Sequence, residues 1–274
     1  MSFKKIAVIM SLYKNDKLQY VKLAVESILA QTFKDFDYYI LYDGPVSSEI
    51  DEYLSAISDH RLKILKREEN KGLAYSLNEL LQKVLPQGYD YIARMDADDI
   101  SMINRFEKQF AYLETHKDID CLGGAINEID EDGDERNKIT YYPCYPDETR
   151  LFFRKRNPVA HPTVMMRRSM FEKAGGYYPM DFERNEDTML WYKAYLGGAK
   201  IANLPEVLLN FRMTDAMFTQ RRNGKVFAKS QLEMRKMINR DLNFGFMSYV
   251  YAYAMYLLMI SPSWLLKLAY RVLR

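Results

Sequence analysis

Cysteine, histidine and tryptophan are scarce in this chain of 274 residues, which holds two, three and two of them. Cys121 and Cys144 form no CxxC pair and sit among few histidines. Neither a disulfide framework nor a structural zinc site is indicated, and a reducing cytosol is the default setting. Charge of one sign is also lacking: a net charge of +2 spread along the chain excludes the concentrated basic face that nucleic acid demands. The first residues offer only Ile6 to Met10 as an apolar run, shorter than a signal-peptide core and without a small-residue cleavage site. A buried first strand is expected there. No GxGxxG follows it and no GxxxxGK[ST] occurs, which disfavours a dinucleotide oxidoreductase and a P-loop kinase.

What is present is apolar sequence, 48% of the residues, enough for a large core and for one compact domain with an appendage. Up to about residue 130, short apolar runs alternate with segments of helical period, the pattern of βαβ units around a mostly parallel sheet covered on both faces. Strands are expected over residues 6–11, 38–42, 62–65 and 89–95, with Leu18, Val21, Val25, Ile28 and Leu29 as the buried face of the first helix. A further strand, Cys121–Ile129, leads into Asp130-Glu131-Asp132-Gly133, which are turn residues, and a return strand ending near Tyr142. The sheet is therefore mixed. Pro158, Pro162, Gly175-Gly176 and Gly197-Gly198 punctuate the shorter elements beyond. Residues 1–240 are expected to form the α/β domain, in halves 1–130 and 131–240, and residues 241–274 a C-terminal helical extension.

Residues 242–266 carry no charge and are numerous enough to span a bilayer. The helical spacing, however, puts Tyr249, Tyr253 and Tyr256 on one side and Met247, Val250, Ala254 and Leu257 on another, and Pro262 interrupts the run. Beyond it, Lys267, Arg271 and Arg274 line one face, and Trp264, Leu265, Leu268 and Val272 the remainder. That is the arrangement of a helix lying in a lipid interface. In-plane attachment is the expectation; a hairpin packed on the domain and a true span are the alternatives.

The strongest local signal is Arg94-Met95-Asp96-Ala97-Asp98-Asp99, where an apolar strand ends in three acids within four positions. Ligands of open α/β sheets sit at the carboxyl ends of the strands, where alternate residues point the same way. Asp96 and Asp98 would therefore converge, as hard oxygen ligands suited to Mg²⁺ or Mn²⁺. The competing explanation is that Asp98 or Asp99 caps a helix starting near Ile103, or that the cluster is a solvated turn.

At this point the sequence resembles the inverting family 2 glycosyltransferases of the GT-A fold, especially bacterial enzymes of O-antigen, lipopolysaccharide and exopolysaccharide assembly. The likeness covers about residues 4–215. Its pieces come in the family's order: the first strand and loop through Tyr13, Asp43-Gly44, Asn70-Lys71-Gly72-Leu73 with Asn78, the DXD-like Asp96-Ala97-Asp98, and Glu186-Asp187. The resemblance implies a UDP-sugar donor, with Ser11 and Tyr13 bordering the nucleotide, Asp43 pairing with the uracil edge and Asn70 to Leu73, Lys71 included, helping to enclose the base. It also implies that Asp96 meets ribose, that Asp98 holds Mn²⁺ or Mg²⁺ with Asp96 beside it, and that Asp99 shapes the loop. The Asp96 and Asp98 assignments are interchangeable. Asp187 would be the general base, with Glu186 as fallback; the bland alternative is a helix N-cap. His161 would line the acceptor pocket or be a structural hydrogen-bonding residue, and Trp191 a sugar platform or core. Galactose and glucose are the candidate hexoses.

One departure concerns Phe211-Arg212-Met213-Thr214, since many relatives carry a histidine where Thr214 stands. Arg221-Arg222 could take over part of the metal's work on the diphosphate or form an exposed basic turn. The expected acceptor is a lipid-diphosphate-linked glycan, with the enzyme peripheral on the inner face of the cell membrane. A sugar nucleotidyltransferase shares a similar fold, but its glycine-rich phosphate loop is missing. A scaffold that has lost turnover is opposed by the acids at 96, 98 and 187.

Overall fold

A computed structural model describes residues 5–179, 182, 185–214 and 225–261. The first four strands are β1 (Ile6–Leu12), β2 (Phe36–Tyr42), β3 (Leu62–Lys66) and β4 (Tyr91–Arg94), connected through α1 (Leu18–Leu29), α2 (Ser48–Ala56) and α3 (Leu73–Val84). All their pairings are parallel, in the order β3-β2-β1-β4. Successive residues of a strand face opposite sides. On β1, Ala7 and Ile9 join one apolar cluster with α3, while Ile6, Val8 and Met10 join another with α1. Both faces are covered, which is why β1 and β2 read as nearly unbroken apolar runs. α1 buries Val21, Ala24, Val25 and Ile28 as its period predicts, but Leu18 and Leu29 are only partly buried. Truncating Ile28 to alanine would cost about 3 kcal/mol.

The parallel regime ends at β4. There follow β5 (Ile100–Ser101), α4 (Arg105–Thr115), β6 (Cys121–Ile129), β7 (Glu135–Thr140), α5 (Pro146–Phe153), β8 (Met165–Arg167), α6 (Arg168–Ala174), α7 (Glu186–Leu196) and β9 (Ile201–Arg212). Short β8 runs antiparallel between β4 and β6, and so joins the two halves into a single nine-stranded sheet of order β3-β2-β1-β4-β8-β6-β9-β5, with β7 on β6. The mixed α/β fold is as expected, and the return strand is present. The Asp130 carboxylate makes its turn by accepting the N–H groups of Asp132, Gly133 and Asp134 at 3.0, 3.0 and 2.9 Å. Glycine at 123 is a packing requirement, because a Cβ there would lie 2.0 Å from Val159 Cγ2.

A helical hairpin follows. Its first helix, Lys225–Asp241, puts Met234 and Ile238 into the same cluster as Trp191. The turn passes Asn243 at φ +55°, and the second helix, Phe246–Ile260, buries only Ser248 and Ala252. Its outer side bares Phe246 (79% exposed), Met247, Val250, Tyr253 and Leu257 (61%). The expected separation of tyrosines from aliphatics is therefore not found: Tyr253 shares the exposed side with Val250 and Leu257, because the helix gives only its small residues to its partner. Among the described residues no helix is long and apolar enough to cross a membrane. The basic face at Lys267, Arg271 and Arg274 lies outside them.

Candidate active site

Because β1, β2 and β4 are parallel, their carboxyl ends open side by side, where sheets of this kind hold ligands. Ser11 and Tyr13, at the end of β1, are half-buried, and the Tyr13 N–H donates to Asp16 Oδ2 at 2.8 Å. Asp43, just past β2, is 3% exposed. Its carboxylate accepts the N–H groups of Lys71 and Gly72 at 2.7 and 2.9 Å and pairs with the Arg67 guanidinium. The Asn70 amide donates to the Asp43 carbonyl at 3.0 Å. In this arrangement Asp43 fastens the 70–72 loop to the sheet, leaving Asn70 and Lys71 exposed. Gly44, at φ +81°, is needed for the approach, since a Cβ there would come 2.9 Å from the Asn70 nitrogen. Asn78 exchanges two hydrogen bonds with the Tyr178 backbone, at 3.0 and 2.7 Å.

Asp96, Asp98 and Asp99 do converge: one oxygen of each lies within 4.8 Å of the others. The cap alternative fails, because α4 begins at Arg105 with Asn104 before it and no side-chain cap bond. The three acids are held differently. Asp96 is gripped by both terminal nitrogens of Arg94, whose side chain is 3% exposed. Asp99 is 1% exposed; its Oδ1 accepts the Arg212 N–H at 2.8 Å, whereas Oδ2 is buried with no hydrogen-bond partner among the described residues. Burial, with Asp98 and Asp96 close by, pushes the Asp99 carboxyl well up. A buried carboxylate oxygen without a donor beside two other acids is what a divalent cation would satisfy. The set therefore fits Mg²⁺ or Mn²⁺, with Asp99 Oδ2 open to a cation and Asp96 engaged by Arg94.

Arg212 fixes this loop. Its Nε donates to the Asp98 carbonyl at 2.9 Å, its Nη1 to the Asp130 and Glu131 carbonyls at 2.9 and 3.0 Å, and its guanidinium stacks 4.2 Å from the Tyr20 ring. Arg105 holds the preceding turn by donating to the Arg94 carbonyl at 2.9 Å. Thr214, where a histidine was looked for, is half-buried two residues past β9. Among the described residues no histidine joins the carboxylate group.

Glu186 and Asp187 form the first turn of α7, where the helix dipole favours anions. Asn185 precedes the helix with no side-chain cap bond, so Asp187 is not a cap. Asp187 Oδ2 accepts from the Asn157 amide at 2.8 Å, and Oδ1 accepts the N–H of Thr188 at 2.6 Å and its hydroxyl at 3.2 Å. Burial pushes the Asp187 carboxyl up; the Thr188 bonds, Arg94 and Arg235 oppose it. Glu186 is also raised, by burial and then by Asp187. Arg94 lies within charge–charge range of both acid groups. Burial alone would lower its guanidinium, but Asp96, Tyr178 and Asp99 together more than offset this.

His161 and Trp191 do not line an open pocket. Trp191 is fully buried and belongs to the core, which decides between its two alternatives. His161 is 8% exposed, shares a 2.9 Å hydrogen bond with the Tyr178 hydroxyl and packs edge-on against Trp191. Burial, helped by Arg94, holds its pKa well below the usual range, so it is a neutral structural group. Arg221 and Arg222 lie outside the described residues. Arg94, Asn157 and Arg212 are the residues sequence reasoning missed as site components. Arg94 was visible beside the acids, but its inward turn onto Asp96 was not; Asn157 carried no signal.

An α/β sheet with a carboxylate cluster at the end of β4 and a second pair of acids at the start of α7 has the arrangement of the GT-A class. Solved structures agree in fold. The model matches TarS residues 1–349 from Staphylococcus aureus in complex with UDP-GlcNAc at TM-score 0.66 and 18% identity, covering 92% of this chain and 70% of that one. It matches the mannosyltransferase PcManGT from Pyrobaculum calidifontis, in complex with GDP-Man and Mn²⁺, at TM-score 0.60 and 13% identity over 92% and 73%. The model of the glycosyl transferase family 2 matches residues 7–175, and the chain belongs to that family. Among curated relatives, the amylovoran biosynthesis glycosyltransferase AmsE of Erwinia amylovora is 34% identical over 84% of each chain. The O-antigen biosynthesis glycosyltransferase WbnJ of Escherichia coli is 32% identical over 90% of this chain and 94% of that one. A UDP-Gal:alpha-D-GlcNAc-diphosphoundecaprenol beta-1,3-galactosyltransferase of E. coli is 26% identical over 84% and 81%.

Proposed function

We propose that this family 2 glycosyltransferase moves a hexose, galactose or glucose, from a UDP-sugar to a hydroxyl of a lipid-diphosphate-linked glycan, with inversion, during assembly of O-antigen or exopolysaccharide. The observation that carries it is the pairing of a converging carboxylate cluster with a half-buried acid, Asp187, that accepts hydrogen bonds from the neutral Asn157 amide and from the N–H and hydroxyl of Thr188. The galactosyltransferase relative supports the UDP-sugar and the lipid-linked acceptor, and AmsE and WbnJ support the polysaccharide setting.

Ser11, Tyr13, Asn70 and Lys71 surround the nucleotide, and Asp43 keeps the 70–72 loop in place beside the base. Asp187 accepts the proton of the acceptor hydroxyl as that oxygen bonds to the anomeric carbon and the bond from the anomeric carbon to the diphosphate breaks. An α-linked donor then gives a β-linked product. Arg94 keeps Asp96 oriented toward the donor. A divalent ion on Asp98 and Asp99 would supply positive charge against the departing diphosphate. The exposed Phe246, Met247, Val250 and Leu257 support a reading in which the hairpin's outer face rests on the inner surface of the cell membrane, next to the lipid-borne acceptor. Residues 1–240 act as the transferase domain and 241–274 as its membrane-associating extension.

The test is UDP release from a panel of UDP-sugars by the purified chain with Mn²⁺, with and without a chelator, beside Asp98→Ala. Metal-dependent release from one sugar, lost in the variant, is expected. Silence across the panel together with no UDP binding by calorimetry would overturn the proposal.

A further inference from the structure

The first hairpin helix runs past the proposed base. Gln231 Nε2 donates to Asn185 Oδ1 at 2.8 Å, and Arg235 Nη1 donates to the Phe153 carbonyl at 2.8 Å. Phe153 ends α5, and the chain continues Arg154-Lys155-Arg156-Asn157, whose last residue donates to Asp187. A cavity opens between this segment and the two hairpin helices, lined in part by Lys155, Gln231, Arg235, Tyr251, Met255 and Met259. Neither Lys155 nor Arg235 forms an ion pair among the described residues. Burial pulls the Arg235 guanidinium down to about 10, although Tyr251 and Asp187 partly restore it. Arg235 is half-buried and Lys155 exposed, so two cations with no carboxylate paired to them among the described residues border the cavity, where an anion would meet both.

The remaining walls say what kind of anion. Met255 and Met259 are half-buried on the helix whose outer side bares Leu257 and Ile260, so the cavity grades from cationic to apolar over one helix. Tyr251 adds a hydroxyl at the polar end. A head bearing phosphates followed by a hydrocarbon chain matches that gradient; a free nucleotide matches only half of it. The location is also right for an acceptor. Asn157, two residues past Lys155, donates to Asp187, and Gln231 of the cavity wall donates to Asn185 at the start of α7, so the cavity lies beside the proposed base.

We propose that this cavity, built by Lys155 and Arg235 at one end and Met255 and Met259 at the other, binds the diphosphate and first carbons of a lipid-diphosphate acceptor. This rests on the transfer reaction proposed above and names the site that selects its acceptor.

The test is calorimetric titration of the full chain, without divalent ion, using farnesyl diphosphate, inorganic diphosphate and UDP as separate probes. Lys155→Met and Arg235→Met are each expected to weaken farnesyl diphosphate by about tenfold. UDP should change less than about twofold, inorganic diphosphate should bind more weakly than the farnesyl compound, and Lys236→Met, an exposed cation paired with Glu233 on the same helix, should have no effect. Equal farnesyl diphosphate affinity in all variants overturns the site. Loss of UDP instead assigns the two cations to the donor and overturns it as well, and inorganic diphosphate binding as tightly as farnesyl diphosphate overturns its lipid end. Lys155 is exposed, so its variant remains informative if Arg235→Met does not fold. The titration needs no turnover: a chain that binds the lipid probe yet transfers no sugar overturns the proposed function and leaves the site standing.

Discussion

Two acidic groups face each other across this site, and they differ in what holds them. Asp96 is anchored by the Arg94 guanidinium, whereas Asp99 accepts the backbone N–H of Arg212, a neutral donor. Asp187 is held by an asparagine amide and by the N–H and hydroxyl of its neighbour Thr188. A carboxylate clasped by a guanidinium holds its charge firmly and is a poor proton acceptor. One bonded by neutral donors in a half-buried setting keeps its basicity and can take a proton. In the reaction proposed above, the guanidinium-clasped Asp96 keeps its charge for the donor and Asp187 takes the proton of the acceptor, with Arg94 within charge–charge range of both.

The largest break in that comparison is Asp98→Ala. Removing this half-buried member of the carboxylate cluster should lower transfer about a thousandfold, the several kcal/mol that a bound divalent ion supplies, read as UDP release across a Mn²⁺ titration. Next is Arg94→Met, which leaves Asp96 without its partner. Transfer should fall about a hundredfold, because Asp96 loses its orientation, and stability should fall by about 2 kcal/mol in urea denaturation, less than for a fully buried pair because Asp96 is 30% exposed. The third is pH. Asp187 works only when ionised, and burial raises its pKa. Activity is therefore full at high pH and is lost as pH falls through a value above the ordinary aspartate range of about 4; a kcat/KM profile whose acid limb sits in that ordinary range would contradict the assignment. The smallest is Lys17→Met, which breaks a bridge to Glu131 with both partners about half exposed. It should change stability by less than about 0.5 kcal/mol and transfer not at all.

The parallel half was legible because each strand buries both faces and each helix one, so period and punctuation fixed β1 through β4 to within a residue or two. β8 was not, because three residues, Met165–Arg167, carry no period and owe their strand to β4 and β6 on either side. The carboxylate cluster was legible from spacing alone. How its members divide was not, since that depends on Arg94 turning back onto Asp96 and on β9 delivering Arg212 from more than a hundred residues away. Trp191 and His161 show the opposite failure: types that suit sugar binding are here packing groups, and only burial tells the two apart. Asn157, an ordinary loop residue by sequence, matters because β8 and α5 bring it to Asp187.

The contrast between the two acidic groups rests most heavily on Asp187. Acceptor-dependent UDP release by Asp187→Asn, beside Glu186→Gln, tests it directly. The expected result is a loss of about a thousandfold for Asp187→Asn with UDP affinity retained, and less than about tenfold for Glu186→Gln. Near-normal turnover by Asp187→Asn would contradict the account, and a collapse confined to Glu186→Gln would move the base one residue back.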